Sequence, residues 1–283
     1  MFKEKVTKEE KKARLEKRAI ELDILRGIAV LFMIFDHFMY DSGFLMEYLF
    51  EGYGYTGWSY DFSMFAVRYW VWDVRIIVRQ IILVIFFSLT GICCSFSKNN
   101  LKRGLKLLVF AGLISLVTYF IGAAVRDINI LISFGVLHCI SLTLIIIGLL
   151  ELFLKDKKWG KYLYLVAGII MVAVGIYFFK DCKYVSYNFK EFFSLFIDML
   201  LGKRGAGSDY FPFLLYCGEA FIGVFLGKLL YSNRKSLFNW KYHNNPLTFI
   251  GRNSLLVYIA HQVLIPVILG IILLLCGFKF SLF

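Results

Sequence analysis

The residues with the clearest chemical potential in this sequence are ionisable side chains within long apolar segments. Six such residues each lie among aliphatic and aromatic residues: Arg26, Asp36, His37, His138, Glu219 and His261. An ionisable group inside a lipid-buried segment is costly, so it usually serves a substrate, a proton or an ion. Histidine adds a base that titrates near neutral pH, which suits general acid–base or nucleophilic chemistry. These residues are therefore the first candidates for a functional site.

The first apolar segment places several polar residues on one side of a predicted helix. At 100° per residue, one stripe about 80° wide contains Asp23, Arg26, Met33, His37 and Asp41. Asp36 points away from this stripe. Arg26 and His37 are separated by roughly 16 Å along the helix axis. Asp41 comes one turn after His37, so we expect its carboxylate to orient the imidazole.

Each of these residues also has a purely structural interpretation. Arg26 could extend its charge to the membrane surface, and His37 or His138 could make a hydrogen bond between helices. Glu219 is either a protonated structural group or part of a site. Arg252, next to Gly251 at a predicted helix start, could bind a phosphate or belong to a basic cytoplasmic loop.

Composition indicates which class of protein must position these side chains. Of the 283 residues, 59% are hydrophobic and only 18% are charged, whereas soluble domains have about 25% charged residues. The apolar blocks are long enough to span a bilayer, which predicts an all-α polytopic membrane protein. The net charge of +12 gives no reason to expect nucleic acid, since cytoplasmic loops of membrane proteins collect Lys and Arg. The six cysteines show neither a disulfide framework nor the spacing of a metal site, and we expect no metal.

Hydropathy predicts a bundle of about seven membrane-spanning helices. The expected spans are 22–40, 75–96, 103–124, 130–154, 160–179, 210–231 and 252–277. Lys and Arg are about twice as frequent in the loops on the N-terminal side, which predicts a cytoplasmic N-terminus and an outward C-terminus. We divide the chain into a basic amphiphilic segment, 1–20, and a transmembrane domain, 21–283. The short apolar stretch 189–201 is expected to be interfacial or re-entrant.

Several sequence blocks resemble one enzyme family in the same order. The blocks are Leu22–Asp41 with its Leu-Asp-Ile-Leu-Arg-Gly opening and His37, Phe87–Gly91, Gly135–Ile140, Asp209–Pro212, Gly223–Lys228, Pro246–Ser254 and His261–Gln262. Together they resemble the catalytic domain of heparan-α-glucosaminide N-acetyltransferases, in particular its short bacterial members. The opening block alone is similar to the wider group of membrane acyltransferases.

The resemblance implies transfer of an acetyl group from cytoplasmic acetyl-CoA to an outward-facing amine or hydroxyl of a sugar, glycolipid or small amine. It favours His37 as general base, with Asp41 beside it and His138 as a further catalytic candidate; an acyl-imidazole intermediate is the second option. Arg26 and Arg252 are expected to bind donor phosphates. The expected acceptor contacts are Trp58, Asp209, Glu219 and His261.

The expected surroundings of the protein follow from the same resemblance. We expect a multi-pass protein of a bacterial plasma membrane whose partners are the lipid bilayer, acetyl-CoA and the acceptor. A second copy of the chain, as a homodimer, is a further candidate partner. The alternative function is a non-catalytic transporter or scaffold that uses the polar stripe as a solute pathway.

Overall fold

The computed structural model describes residues 15, 18–125, 130–154, 157, 159–186, 192–238, 240 and 242–281, and these residues are mainly helical. In chain order the elements are α1 (Ile20–Tyr40), a π-helical turn (Asp41–Leu45), α2 (Met46–Leu49), β1 (Phe50–Glu51), α3 (Gly57–Trp70), α4 (Asp73–Ile92), a 3-10 turn (Cys93–Phe96), α5 (Asn100–Val125), α6 (Val136–Leu154), α7 (Gly160–Phe179), β2 (Lys183–Val185), α8 (Phe192–Leu201), β3 (Arg204–Ala206), α9 (Phe213–Leu230), α10 (Pro246–Arg252), α11 (Ser254–Leu275) and β4 (Lys279–Phe280).

The long helices confirm the predicted all-α membrane bundle. Six helices in the described part of the chain are long and apolar enough to cross a membrane: α4 with the 3-10 turn after it, α5, α6, α7, α9 and α11. They coincide with six of the seven predicted spans. The remaining span corresponds to α1, which has 21 residues and carries Glu21, Asp23, Arg26 and Asp36. These charges separate α1 in composition from the other six helices.

Some of the sequence predictions concern features that the structure does not address. Of the predicted amphiphilic segment 1–20, residues 1–14, 16 and 17 lie outside the described residues. The cytoplasmic position of the N-terminus stays a prediction. Within the stretch 189–201, residues 192–201 form the ten-residue helix α8.

The chain divides into two compact units. One contains residues 1–86 and 236–283, and the other contains residues 87–235. In the first unit, α10 packs on α1 with backbone against backbone. A Cβ added at Gly251 would overlap the carbonyl oxygen of Asp23, and one added at Gly27 would overlap that of Leu247. Only glycine permits this approach, which fixes α10 against the first turns of α1.

The first unit also holds the short elements that follow α1. Strands β1 and β4 pair antiparallel, with Phe50 opposite Phe280. Tyr53 is buried and its hydroxyl donates to the Ser42 carbonyl oxygen at 2.8 Å. Burial, with the charge of Glu47 nearby, raises the pKa of Tyr53 to about 12, so this hydroxyl remains a donor at neutral pH. The bond ties the segment after α1 to the π-helical turn.

The second unit is built from closely packed helix pairs. Helix α7 packs along α9, and α5 packs along α6. Glycines mark these contacts: a Cβ on Gly218 would lie 2.8 Å from the carbonyl oxygen of Gly168. Small residues at such crossings let membrane helices approach closely and gain van der Waals contact. A short parallel pair, β2 with β3, joins Lys183 to Arg204 in the same unit.

Candidate active site

His37 lies in the last turn of α1 with one ring nitrogen already engaged. Its Nδ1 lies 2.8 Å from the carbonyl oxygen of Met33, one turn earlier on the helix. A carbonyl oxygen only accepts hydrogen bonds, so Nδ1 carries the proton in the neutral ring. The lone pair therefore resides on Nε2, the nitrogen that faces away from the helix backbone. The sequence correctly marked Met33 and His37 as members of one stripe, because residues four apart share a helix face.

His261, on α11, lies directly beside His37. The two ring centroids are 4.8 Å apart and the ring planes meet at 81°. Nδ1 of His261 lies 3.2 Å from the Val257 carbonyl oxygen, so the same argument places its lone pair on Nε2. His261 is only 5% exposed, and its Nε2 has no hydrogen-bond partner among the described residues.

The buried Nε2 of His261, next to the half-buried ring of His37, is an unusual feature. A buried acceptor without a partner costs free energy that a protein normally avoids. The Nε2 of His261, unpartnered among the described residues, suits a ligand that brings an N–H or O–H group. An amine or hydroxyl acceptor would supply such a group. His37 can therefore remove a proton from the reacting group, while His261 accepts a hydrogen bond from a second N–H or O–H of the same molecule.

Asp41 does not hold His37 in this structure. No hydrogen bond joins the Asp41 carboxylate to the His37 ring in the described part of the chain, and Met33 occupies the Nδ1 side instead. Asp41 begins the π-helical turn after α1, and its backbone N–H donates to the His37 carbonyl oxygen. The side chain is buried, and burial raises the pKa of the Asp41 carboxyl to about 7.

The two arginines predicted to bind phosphate belong to segments that meet at the start of α1. Arg26 lies one turn after Asp23, and Arg252 directly follows Gly251, which contacts the backbone of Asp23. Nη1 of Arg252 donates to the Tyr242 hydroxyl at 3.5 Å, and that hydroxyl donates to the Asp23 carboxylate at 3.2 Å. The structure therefore brings Arg252 to the end of the stripe at which the sequence placed Arg26.

Arg18 also contacts this end of α1. Its Nε and Nη2 donate to the two carboxylate oxygens of Asp23 at 2.6 and 2.7 Å. Such a two-pronged ion pair fixes the Asp23 carboxylate and balances its charge. Asp23 therefore acts as an anchor at the N-terminal end of α1.

Trp58 is placed on α3 with its ring largely in the open. The side chain is 53% exposed, and its indole makes an edge contact with Phe278 at a centroid distance of 5.9 Å. Exposed aromatic rings are usually membrane-interface anchors, and they are also suitable for stacking on a sugar face. The exposed ring of Trp58 is compatible with both roles, membrane anchoring and sugar stacking.

His138, in the second unit, has both ring nitrogens engaged. The backbone N–H of Gly135 donates to its Nδ1 at 3.3 Å, so Nε2 carries the proton and donates to the Ser115 hydroxyl at 3.1 Å. Ser115 in turn donates to the Ile132 carbonyl oxygen at 2.6 Å. This chain ties α5 to the segment before α6, which favours the structural interpretation of His138 over the catalytic one.

The other two candidates of the second unit have distinct environments. Asp209 has a left-handed backbone with φ of 55°, and its Oδ2 would lie 2.9 Å from a Cβ on Gly135, at the start of α6. Glu219, on α9, is 8% exposed, and its Oε2 has no hydrogen-bond partner among the described residues. Glu219 thus shares with His261 the property of a buried acceptor that nothing in the described chain satisfies.

Comparison with known proteins decides the family. The sequence profile described as heparan-alpha-glucosaminide N-acetyltransferase, catalytic, matches residues 18–263. The chain belongs to this family. Membership implies a membrane acetyltransferase, and the matched range contains every candidate residue given above. No curated protein and no solved structure matches the chain.

One cluster of this acetyltransferase was not expected from the sequence. Arg75 on α4 forms an ion pair with Asp36 on α1, with Nη2 to Oδ2 at 2.7 Å. The Tyr69 hydroxyl donates to the same carboxylate at 2.6 Å, and the Arg75 guanidinium covers the Trp70 ring at 3.7 Å. Because Asp36 faces away from the stripe, this cluster fixes the other side of α1. An acidic residue inside an apolar span was the signal that pointed to it.

The described residues give the acetyltransferase no evident metal centre. No group of three or more His, Cys, Asp or Glu side chains in the described ranges is arranged to hold a metal ion. The histidine pair comprises only two such side chains.

Proposed function

We propose that the protein transfers an acetyl group from cytoplasmic acetyl-CoA to an amine or hydroxyl on the outer side of a bacterial plasma membrane. Family membership supports acetyl transfer. The observation that carries the proposed site is that the ring centroids of His37 and His261 lie 4.8 Å apart. The buried Nε2 of His261 has no partner among the described residues. This arrangement supplies a base for one N–H or O–H and a hydrogen-bond acceptor for another.

In the proposed reaction His37 is the general base and His261 binds the acceptor. Nε2 of His37 takes the proton of the acceptor hydroxyl or amine while the acceptor atom attacks the thioester carbonyl. A carbon–oxygen or carbon–nitrogen bond forms and the carbon–sulfur bond breaks. The imidazolium then returns the proton to the departing thiolate, which releases CoA as the thiol. The Met33 carbonyl keeps the His37 ring in the required tautomer.

Arg26 and Arg252 are proposed to bind the phosphates of the donor. Arg26 precedes His37 on the same continuous helix, which separates them by roughly 16 Å along its axis. A stretched pantetheine arm is of comparable length, so a donor held at the arginines could present its thioester near His37. Guanidinium groups suit this task because they bind phosphate through several charge-assisted hydrogen bonds.

The acceptor is proposed to be a glycan, a glycolipid or a small amine of the cell envelope. The exposed ring of Trp58 can stack on a sugar face, and the unsatisfied carboxyl oxygen of Glu219 can accept a hydrogen bond from a sugar hydroxyl. Asp41 is proposed as a further polar group near the histidine pair, and Asp209 as a polar contact for the acceptor in the second unit. His138, whose two ring nitrogens both have partners, is proposed to be structural.

Two measurements test this proposal. Mass spectrometry of envelope glycans from cells with and without the gene should show acetyl groups, 42 mass units each, that depend on the gene. Purified protein in liposomes should then release CoA thiol from acetyl-CoA when the identified acceptor is present, and the His37→Ala variant should not. Transport of a solute by the liposomes without any release of thiol would contradict acetyl transfer and support the transporter alternative.

The direct and covalent routes can be separated in the same preparation. Incubation with labelled acetyl-CoA in the absence of acceptor should leave the protein unlabelled if His37 acts as a base. Release of CoA thiol in an amount equal to the protein, with labelled acetohydroxamate formed when hydroxylamine is added, would instead establish the covalent route.

A further inference from the structure

The second unit contains a polar cavity that the proposed acetyl transfer does not use. Its volume is about 520 Å³, which is within the range typical of small-molecule sites. The 3-10 turn Cys93–Phe96, the start of α5, the last turns of α6 and the end of α9 form its walls. The sequence predicts that this end of the bundle faces the cytoplasm, because Lys and Arg are concentrated in these loops.

The charge of the cavity is unbalanced. Its lining includes three cations, Lys98, Lys228 and Arg234, and one acid, Glu151. None of the three cations forms an ion pair with a carboxylate in the described part of the chain. Cations gathered around a cavity repel one another, and an anion between them would relieve that repulsion.

Glu151, the single acid of the lining, already accepts a hydrogen bond from a buried side chain. Asn100 is 2% exposed, and its Nδ2 donates to the Glu151 carboxylate at 2.8 Å. The side-chain oxygen of Asn100 accepts from Arg103 at 3.0 Å. Asn100 thus connects Glu151 to Arg103, a cation outside the lining. Among the lining cations, Lys228 has its Nζ 5.0 Å from the centroid of the Tyr164 ring, a contact that does not neutralise its charge.

A neutral donor and a strained turn complete the cavity. Ser95 lines it, and the buried Ser95 hydroxyl has no hydrogen-bond partner among the described residues. Arg234 has φ of 54°, a left-handed conformation that costs a non-glycine residue free energy and is often retained at functional sites. A glycine would fit that backbone at lower cost, and the arginine at this position adds a cation to the cavity wall.

We propose that this cavity binds a phosphate group, held by Lys98, Lys228 and Arg234 with a hydrogen bond from Ser95. The phosphate belongs either to a soluble nucleotide or to the headgroup of an anionic phospholipid. Both sources present negatively charged phosphate oxygens to the cations. A site at the end of membrane-spanning helices lies at the depth of lipid headgroups, which makes the second source accessible. The proposal requires no acetyl transfer and stands independently of it.

The test uses the full-length purified protein and three probes. Inorganic phosphate and ADP represent the soluble source and are measured by equilibrium dialysis in neutral detergent. Phosphatidylglycerol, compared with phosphatidylcholine, represents the lipid source and is measured by native mass spectrometry. Binding of ADP and phosphate assigns a soluble ligand, and selective retention of phosphatidylglycerol assigns a lipid. Binding of none of the three probes would overturn the proposal.

Variants locate the binding within the cavity. Lys228→Gln and Arg234→Gly should each raise the Kd of the bound probe roughly tenfold or more, as expected for the loss of one charge-assisted contact. Arg234→Gly also removes the left-handed strain, so its melting temperature should be equal to or above that of the wild type. Lys106→Gln removes the same charge from α5 at an exposed position outside the lining. Equal losses in Lys106→Gln and the cavity variants would show nonspecific attraction and overturn the assignment.

Discussion

The imidazole rings of His37 and His261 lie 4.8 Å apart in an edge-to-face arrangement, although 224 positions separate them in the sequence. Each ring is oriented by the carbonyl oxygen one helical turn before it, Met33 for His37 and Val257 for His261. Both Nε2 atoms therefore present lone pairs. His37 is the proposed base and His261 the proposed acceptor-binding group, and one variant at each tests these roles.

Removal of the proposed base should stop the chemistry without preventing donor binding. His37→Ala should lower acetyl transfer by roughly 10²–10⁴-fold, the usual contribution of a general base. The Kd for acetyl-CoA should stay close to that of the wild type, because the donor phosphates are proposed to bind the arginines at the other end of α1. Transfer rate, Kd and melting temperature are measured on one preparation. His138→Gln is the matched control: it breaks the chain through Ser115, so it should lower the melting temperature more than the rate.

His261→Phe should weaken acceptor binding without lowering the stability of the fold. Phenylalanine keeps the aromatic packing against His37 and removes both ring nitrogens: Nδ1, which makes only the long 3.2 Å contact with the Val257 carbonyl oxygen, and the buried Nε2, which has no partner among the described residues. The melting temperature should therefore be unchanged or higher, since an unsatisfied polar group is costly in the fold. Transfer should fall, mainly through a higher KM for the acceptor. A clear loss of stability with a normal KM would mean that His261 is structural.

Arg26→Ala and Arg252→Ala should weaken the donor complex. Each change removes a charge-assisted phosphate contact worth roughly 1.5–3 kcal/mol, so the Kd for acetyl-CoA should rise about tenfold or more. The rate at saturating donor should change much less. Lys235→Ala, which removes an exposed cation elsewhere, provides the control. Donor affinity at the wild-type level in both arginine variants would remove these residues from the donor site.

The crossing of α10 over α1 should be intolerant of a single methyl group. In Gly251→Ala the new Cβ would overlap the carbonyl oxygen of Asp23, and overpacking of this kind costs roughly 1–3 kcal/mol or more. We expect a melting temperature several degrees lower. Gly270→Ala on α11 is the control, because its Cβ would meet Phe50 at an ordinary 3.5 Å. That variant should be as stable as the wild type or more so, because alanine is the better helix former.

Asp41 should give the stability a defined pH dependence. Burial raises its pKa from 3.8 to about 7, so the folded protein retains a proton that the unfolded chain has released. Stability from this group is full below about pH 4 and declines as pH rises through about 7. Asp41→Asn removes the titration, so its melting temperature relative to the wild type should be higher at about pH 8 than at about pH 5. Asp61→Asn, an exposed position, should show no such difference.

The sequence by itself determined the features that depend on local pattern and composition. Apolar blocks identified the helices, because a bilayer requires a minimum apolar length. Periodicity within one helix aligned Met33 and His37, because residues four apart always share a face. The ordered blocks from Leu22 to His261 resembled the family that the profile match over residues 18–263 then established.

Only the tertiary structure decided which helices are neighbours. The sequence named both His37 and His261 but could not pair them, because the contact depends on how α11 packs on α1. It expected Asp41 to orient His37, whereas a closer backbone oxygen at Met33 takes the Nδ1 side. It marked Asp36 as unusual without finding Arg75, since ion pairs between helices have no sequence spacing. Helical periodicity specifies one face at a time, and the packing of whole helices specifies which faces meet.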